Sequence, residues 1–312
     1  AGDVNSDSYA DLIISNPSAS PDGMQGAGES YLLFGHDGAW DETFDMSSLN
    51  GTNGAVLKGA AGDHSGQSVS NIGDVNGDTI DDLLVGAPNA LPVGTAGDYH
   101  GQVYLVFGLD NTWNPSIDLS TLSGTSGLVI KGVNSNQLGS SVTNVGDING
   151  DKNEDFFVGG AAGQPGQLYV QLNGTMKSKP SPLLKLDAGF EDMGSELVDI
   201  DMDGDMDLLV SSGGSQHDEG SEWYRSRIYY NDGAGHFDRR GFLPSNSSSS
   251  GISSDDIDGD GDLDIFVAGH VVANKYLKAP SSHIFINENG LFKDETEAMA
   301  PQLANAGMIT SA

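Results

Sequence analysis

The chain has 312 residues, with 13 Lys plus Arg against 45 Asp plus Glu, a formal charge of −32. No basic stripe exists to hold phosphates, so nucleic acids and anionic membranes are excluded as partners, while cations and basic surfaces are attracted. There is no cysteine, hence no disulfide or thiolate metal site, and no run of 18 apolar residues, hence no expected membrane insertion.

Charged residues make up only 19% and glycines number 44, a composition of short strands and many turns. The chain opens at Ala1 with no visible signal peptide, which reads as a processed or trimmed start. The acidic loop "DVNSDSYAD" (Asp3–Asp11) comes first and runs into "LIIS". A Pro- and Gly-rich insert, Asn16–Glu29, precedes the strand-like runs "SYLLFG" from Ser30 and "GAVLKG" from Gly54. The second unit reads "QSVSNIG" from Gln67, "DVNGDTIDD" (Asp74–Asp82), "LLVG", the insert Asn89–His100, "GQVYLVFG" from Gly101 and "GLVIKG" from Gly127. The third reads "SSVTNVG" from Ser140, "DINGDKNED" (Asp147–Asp155), "FFVG", "GQLYVQL" from Gly166 and a weaker fourth run, "PLLKL" from Pro182. In the fourth, "SELVDI" from Ser195 leads into "DIDMDGDMD" (Asp199–Asp207), "LLVS" and "SRIYYN" from Ser226. The flexible-looking link "SNSSSSG" (Ser245–Gly251) leads to the fifth: "GISSDDI" from Gly251, "DIDGDGDLD" (Asp256–Asp264), "IFVA" and "SHIFIN" from Ser281. Only Glu295–Leu303 suggests a helical turn.

The ninth positions of successive loops are 71, 73, 52 and 57 residues apart. Self-similarity at such a period marks a repeat architecture. Each unit predicts four antiparallel strands with the acidic loop as the hairpin between strands one and two. The expected fold is an all-β propeller of five such blades, one domain over residues 1–312, with a linear β array or tandem sandwiches as the alternative. A larger ring cut at both ends would leave the same phase. Joining "GMITSA" (Gly307–Ala312) to the start gives nearly the repeat phase, so the closing run is expected to complete the first blade and hide both edges.

Each loop places oxygen-bearing side chains at positions 1, 3, 5 and 9, with a backbone carbonyl available at position 7. The candidate ligands are Asp3, Asn5, Asp7, Tyr9 and Asp11; Asp74, Asn76, Asp78, Ile80 and Asp82; Asp147, Asn149, Asp151, Asn153 and Asp155; Asp199, Asp201, Asp203, Asp205 and Asp207; and Asp256, Asp258, Asp260, Asp262 and Asp264. Six or so hard oxygens with tolerant geometry suit Ca²⁺, up to five ions; Mg²⁺ demands a stricter octahedron, and zinc or copper would want His or Cys, which no loop contains. Gly204 and Gly261 at position 6 allow a left-handed turn, while Gly77, Gly150 and Gly259 at position 4 are read as easing packing. The loops hold 21 of the 45 acids. The pattern is not an EF-hand, since position 12 from Asp74 is Val85 and a strand follows position 9.

"VGAP" (Val85–Pro88), "VFG" (Val106–Gly108) and "LFG" (Leu33–Gly35) resemble the FG-GAP repeats of integrin α-subunit propellers and their bacterial relatives. "YYNDGAGHF" (Tyr229–Phe237) and "FINENGLF" (Phe285–Phe292) resemble the related VCBS repeat. The resemblance implies a propeller with calcium in loops on one face and partner binding on the opposite face or rim. It is compatible with adhesins, lectins, phospholipase-associated domains and polysaccharide lyases.

No nucleophile elbow, His-Glu-x-x-His, phosphate loop or dinucleotide fingerprint is present. The seven histidines, His36, His64, His100, His217, His236, His270 and His283, are scattered. "HDEGSEW" (His217–Trp223) is the most suggestive stretch outside the loops. Trp40, Trp113, Trp223 and Tyr99 read either as sugar platforms or as packing between blades. Asn50, Asn173 and Asn246 sit in glycosylation sequons. The expected function is therefore a non-catalytic, calcium-binding adhesion or interaction module of an exported or cell-surface protein. Its partner would be a protein or glycan at the cell surface or matrix, or further copies of itself. A carbohydrate-binding or carbohydrate-cleaving propeller, or a subunit of an extracellular fibre, is the alternative.

Overall fold

The computed structural model describes residues 1–309 except 41, 92–99, 111–112, 133–136, 173–174 and 276–277, and it does not describe the side chain at 239. Tyr99 and Asn173 thus lie outside the described residues, as does most of the insert after Asn89.

Short runs of aliphatic, β-branched and aromatic residues, punctuated by Gly, Asn and Asp, form twenty strands among the described residues, in five four-stranded sheets. β1 (Leu12–Asn16), β2 (Glu29–Leu33) and β3 (Gly54–Lys58) build the first. β4 (Val69–Asn71), β5 (Leu83–Ala87) and β6 (Gln102–Val106) follow; β7 (Ser116–Asp118) leaves the series, and β8 (Gly127–Lys131) completes the second sheet. The third is β9 (Val142–Gly146), β10 (Asp155–Val158), β11 (Gln167–Gln171) and β12 (Met176–Lys179). The fourth is β13 (Asp192–Val198), β14 (Asp207–Ser212), β15 (Arg227–Asn231) and β16 (Phe237–Phe242). The fifth is β17 (Ser249–Asp255), β18 (Asp264–Gly269), β19 (His283–Glu288) and β20 (Leu291–Asp294). In the second to fifth sheets the acidic loop joins the first two strands, as the repeat predicts.

The first sheet departs from the uniform antiparallel pattern. Its place before the loop is held by one residue, Gly2, which bridges Asp11. Its fourth strand is β7, which runs parallel to β3 with Val56 beside Ser116 and Leu57 beside Ile117. β7 comes from the connection between β6 and β8, and it covers an edge that would otherwise expose unpaired backbone groups.

The chain divides into two compact units, residues 1–146 with 153–158 and 169–178, and residues 147–152 with 159–168 and 179–312. In the first unit, alternation along β5 and β6 sends Leu83, Val85 and Tyr104 to a core shared with the first sheet, where Leu32, Leu57 and Trp113 are buried. Leu84, Val103 and Leu105 point the other way, to a core completed by Phe156 and Val158. Such a sheet is buried on both faces, which is why its strands read as continuous apolar runs. In the second unit Leu209, Ile228, Ile265 and Phe285 form the equivalent core between the fourth and fifth sheets.

Two expectations are corrected. "PLLKL" is not a strand but a helix, α1 (Pro182–Leu186), because Ser181 caps it by accepting the Leu184 N–H and Pro182 supplies the favoured first-turn φ; the fourth strand of that sheet is β12. The expected link Ser245–Gly251 is packed rather than free. Ser248 and Ser249 are buried, and their hydroxyls donate to the carbonyls of Gly214 (2.8 Å) and Ser212 (2.7 Å). In the described part of the closing run the Ile309 N–H donates to Gly269 O, and Ser250 Oγ donates to Ile309 O, so it lies against the fifth sheet; residues 310–312 lie outside the described residues. The expected helical turn is present as α2 (Thr296–Met299), followed by a 3₁₀ turn at Pro301–Asn305.

Candidate metal-binding loops

The aspartate at position 1 closes each loop. Its carboxylate oxygens accept the N–H groups of positions 5 and 6: Asp3 from Asp7 (3.0 Å) and Ser8 (2.8 Å), Asp74 from Asp78 (3.0 Å) and Thr79 (2.7 Å). Asp147 takes Asp151 (2.8 Å) and Lys152 (2.7 Å), and Asp199 takes Asp203 and Gly204 at 3.0 Å each. In the fifth loop Asp256 accepts the Gly259 N–H at 2.8 Å instead. Asn5, Asn76, Asn149 and Asp258 at position 3 accept the same position-5 N–H. Asp7, Asp78, Asp203 and Asp260 in turn accept from position 7, at Tyr9, Ile80, Asp205 and Asp262. Each loop is a chain of Asx turns that brings positions 1, 3 and 5 to one side.

Positions 4 and 6 have positive φ in all five loops, so glycine at position 4 supplies the same left-handed turn as glycine at position 6. Non-glycine residues stand at several of these places: Ser6 (61°), Ser8 (73°), Thr79 (74°), Lys152 (70°) and Met202 (57°). For a β-branched residue such as Thr79 this is an outlying conformation that persists only where the surroundings over-determine it.

The ninth aspartate is a pin. One oxygen accepts the N–H of position 2, and the other accepts an N–H at or just past the end of the strand that pairs with the one following the loop. Asp11 holds Val4 and Gly35 at 2.8 Å each, and Asp82 holds Val75 (3.0 Å) and Gly108 (2.9 Å). Asp207 holds Ile200 (3.1 Å) and Asn231 (2.9 Å), while Asp264 holds Ile257 (2.9 Å) and Asn287 (2.8 Å). Asp155 holds Gln171 at 2.8 Å. All five are buried. Burial pushes the carboxyl of Asp11 up to about 6, of Asp82 up to about 7 and of Asp207 up to about 6; the N–H bonds oppose this, and the neighbouring loop carboxylates add to it. A cation among these groups acts in the opposite direction.

The boundary between the units falls within the third loop, with Asp147–Lys152 on one side and Asp155 on the other. In the fourth loop Asp199, Asp201 and Asp207 each bring a carboxylate oxygen within 4.8 Å of the others, and in the fifth Asp256, Asp258 and Asp260 do so. The first set leaves out Asp203 and the second leaves out Asp264. Asp205 at position 7 instead turns its carboxylate toward Gly233, where an added Cβ would lie 2.6 Å from Oδ1. Asp262 Oδ1 is buried with no hydrogen-bond partner among the described residues. An all-oxygen donor set, crowded carboxylates and an orphaned carboxylate oxygen fit a hard divalent cation.

Sequence reasoning missed the residues that brace these loops. Asp81 and Glu154, at position 8, reach back to the preceding loop: Asp81 Oδ2 accepts the Asp3 N–H at 2.9 Å, and the Glu154 side chain packs on Gly73. Asn231 and Asn287 donate to the position-8 carbonyls of Met206 (3.1 Å) and Leu263 (3.2 Å). The asparagine ending "YYN" and "FIN" was the available signal.

Other candidate residues divide by burial. Trp113 is buried against Phe34, with ring centroids 5.7 Å apart, so it packs between sheets. Trp40 and Trp223 are 49% and 42% exposed. Trp223 lies over Gly189, where an added Cβ would be 2.2 Å from its ring, and edge-on to Phe190 at 5.1 Å. Within "HDEGSEW", Tyr224 OH donates to His217 O at 2.6 Å and accepts the His217 N–H at 3.0 Å, and Glu219 pairs with Lys275 and Lys278. Beneath the same blade Arg227, 2% exposed, donates to Asp192 at 2.6 Å and to Tyr229 OH at 2.9 Å.

Sheets and loops together define a repeat protein of propeller blades. Residues 1–33 and 65–106 match the FG-GAP repeat, and residues 147–210 match the FG-GAP-like repeat. Integrin alpha-4 of Xenopus laevis is 28% identical over 159 residues, covering 51% of this chain and 14% of that protein. Integrin alpha ina-1 of Caenorhabditis elegans is 32% identical over 190 residues, covering 54% of this chain and 16% of that protein. A phosphatidylinositol-glycan-specific phospholipase D of Dictyostelium discoideum is 25% identical over 236 residues, covering 70% of this chain and 24% of that protein. The chain thus carries FG-GAP and FG-GAP-like repeats over part of its length and is similar in sequence to integrin α subunits, and it spans at most about a quarter of the relatives named here. No helix among the described residues is long and apolar enough to cross a membrane.

Proposed function

We propose that the five blades form one propeller domain that holds Ca²⁺ in its acidic loops and serves as an adhesion or interaction module of an exported or cell-surface protein. The observation that carries this is the crowding of three carboxylates within 4.8 Å in each of the fourth and fifth loops. Positions 1, 3, 5 and 9 would hold the ion through side-chain oxygens, and position 7 through its carbonyl. The ion supplies charge neutralisation. The chain's own residues do the rest: position 1 closes the turn and position 9 ties it to the third strand, so ion occupancy and sheet integrity are coupled. Extracellular sites of this kind have Kd of about 10⁻⁴–10⁻³ M. At ~1 mM calcium each would add roughly 0.4–1.4 kcal/mol to stability. The cytosol holds too little free calcium to fill them, which supports export. The similarity to integrin α chains supports a protein ligand at the cell surface or matrix.

Isothermal titration of chelator-stripped protein tests the reading. Calcium heats that disappear from one site each in Asp199→Ala and Asp256→Ala are expected. No calcium heat in the unmodified chain would sink it.

A glycan is the second partner class, favoured by the half-exposed indole of Trp223 seated on Gly189 beside Arg225 and Arg240. Binding on a broad glycan array, lost in Trp223→Ala, would support it; a blank array would remove it.

A further inference from the structure

Three polar side chains from separate parts of the fifth blade meet at one edge. His283 opens β19, Asp294 ends β20, and Ser247 stands two residues before β17. His283 Nε2 lies 3.0 Å from Ser247 Oγ, and His283 Nδ1 lies 2.8 Å from Asp294 Oδ2. The strand register sets this up, because Asp294 pairs with Phe285, two residues beyond His283 on the same face.

Each member is itself held. The imidazole stacks on Phe285, with centroids 5.7 Å apart and planes 15° apart. Asp294 Oδ1 accepts the Thr296 N–H at 3.1 Å and the Thr296 hydroxyl at 2.5 Å. Burial works against its charge, but these bonds and His283 hold the carboxyl below its ordinary value, so it stays ionised at neutral pH. An ionised Asp294 accepts a hydrogen bond from Nδ1–H, which keeps the proton on Nδ1 and leaves Nε2 to accept from Ser247 Oγ–H. Nucleophile, base and orienting carboxylate in this relation are recognised by geometry and role, not by sequence order.

The place is open to solvent. The His283 and Asp294 side chains are 16% and 33% exposed. They line an open cleft of about 460 Å³ with Thr296 and Glu297, and Ser247 lines an adjoining cavity; Ser281 borders both. The fourth blade gives the contrast. Its residue matching His283 is Arg227, a permanent cation sealed against Asp192 and Ser212. That arrangement links strands and nothing more, whereas an imidazole in the same place accepts and returns a proton.

We propose that Ser247 and His283 are catalytic residues, with Asp294 as their positioning residue, and that this blade hydrolyses neutral carboxylic esters. Ser247 Oγ attacks the acyl carbon as its proton passes to His283 Nε2. The resulting imidazolium protonates the leaving alkoxide, so the C–O bond to the alcohol breaks and an acyl-serine remains. Water then gives one proton to His283 as its oxygen bonds to the acyl carbon; the bond between the acyl carbon and Oγ breaks, His283 returns the proton to Ser247 Oγ, and the carboxylic acid leaves. No oxidant, metal or cofactor enters the balance. The charge of −32 disfavours anionic esters, hence the neutral substrate class.

The test uses the whole chain with calcium present. It is treated with a fluorophosphonate probe and the modified residue is mapped by mass spectrometry; p-nitrophenyl acetate hydrolysis is measured in parallel. Labelling is expected on Ser247, with fluoride as the leaving group. Ser247→Ala should lower kcat about 10²–10⁴-fold. Asp294→Asn should lower kcat with little change in KM, which a merely structural role would not do. Folded protein that leaves Ser247 unlabelled overturns the proposal, whatever the variants do. So does hydrolysis that persists undiminished in a folded Ser247→Ala chain. Neither result bears on calcium in the loops, which titration calorimetry reads separately.

Discussion

Asp81 Oδ2 accepts the backbone N–H of Asp3 at 2.9 Å, so the second acidic loop caps the first. Gly2 leaves the room this requires, since an added Cβ would lie 2.0 Å from the same oxygen. The first two loops are therefore braced to one another.

Removing that carboxylate should cost about 1.5–3 kcal/mol, the usual range for a hydrogen bond to a charged group. Asp81→Ala is expected to lower the urea midpoint at saturating calcium, and Asp81→Asn, which keeps an acceptor oxygen, to recover most of the loss. Equal midpoints in Asp81→Ala and the unmodified chain would show that the brace contributes nothing.

The left-handed residues give a prediction of opposite sign. Thr79 and Met202 hold φ of 74° and 57°. A Cβ there costs roughly 1–2 kcal/mol, offset in part by the greater chain entropy of glycine. Thr79→Gly and Met202→Gly should each raise stability by up to about 1 kcal/mol, measured in chelator so that ion binding does not mask the change. A lower midpoint in both would mean that these turns are not strained.

The buried pair of the fourth blade should behave asymmetrically. Asp192→Ala leaves a guanidinium that is 2% exposed without its nearest carboxylate and should cost about 3–5 kcal/mol. Replacing both partners, Asp192→Leu with Arg227→Met, should cost less than Asp192→Ala alone. A double variant less stable than the single one would show that the ion pair is worth more than its desolvation.

Glu191 supplies a pH signature outside the loops. Burial raises its carboxyl above the ordinary 4.5, and its Oε2 has no hydrogen-bond partner among the described residues. A raised folded-state value means that its favourable contribution is present below pH 4.5 and is lost as pH rises through the folded-state value. Glu191→Gln should therefore match the unmodified chain at pH 4 and exceed it in melting temperature at pH 7. A gain at pH 4 that vanishes at pH 7 would reverse the assignment.

The strands on either side of each loop were legible because apolar runs recur in one phase between the same punctuation. What stayed hidden depended on partners far away in sequence. β7 is three residues long and gains its identity only from lying beside β3. The serines at 248 and 249 read as a flexible tract because their acceptors, Gly214 O and Ser212 O, belong to another sheet. Ser247 and Asp294 stand 36 and 11 residues from His283, so only the register of the fifth sheet brings them together. "PLLKL" misled for a local reason: its leucines show no clear period, and the Ser181–Pro182 cap was the signal that outweighed them. In the loops the donor residues were readable, but the ninth aspartate's task as a pin was not, since the N–H groups it holds come from two different hairpins.

Scanning calorimetry in excess chelator and in 1 mM calcium tests the central claim most directly. Occupied loops should add roughly 2–7 kcal/mol in total. For a chain of this size that raises the melting temperature by on the order of 3–11 °C. Thermograms that superimpose in the two conditions would contradict the account.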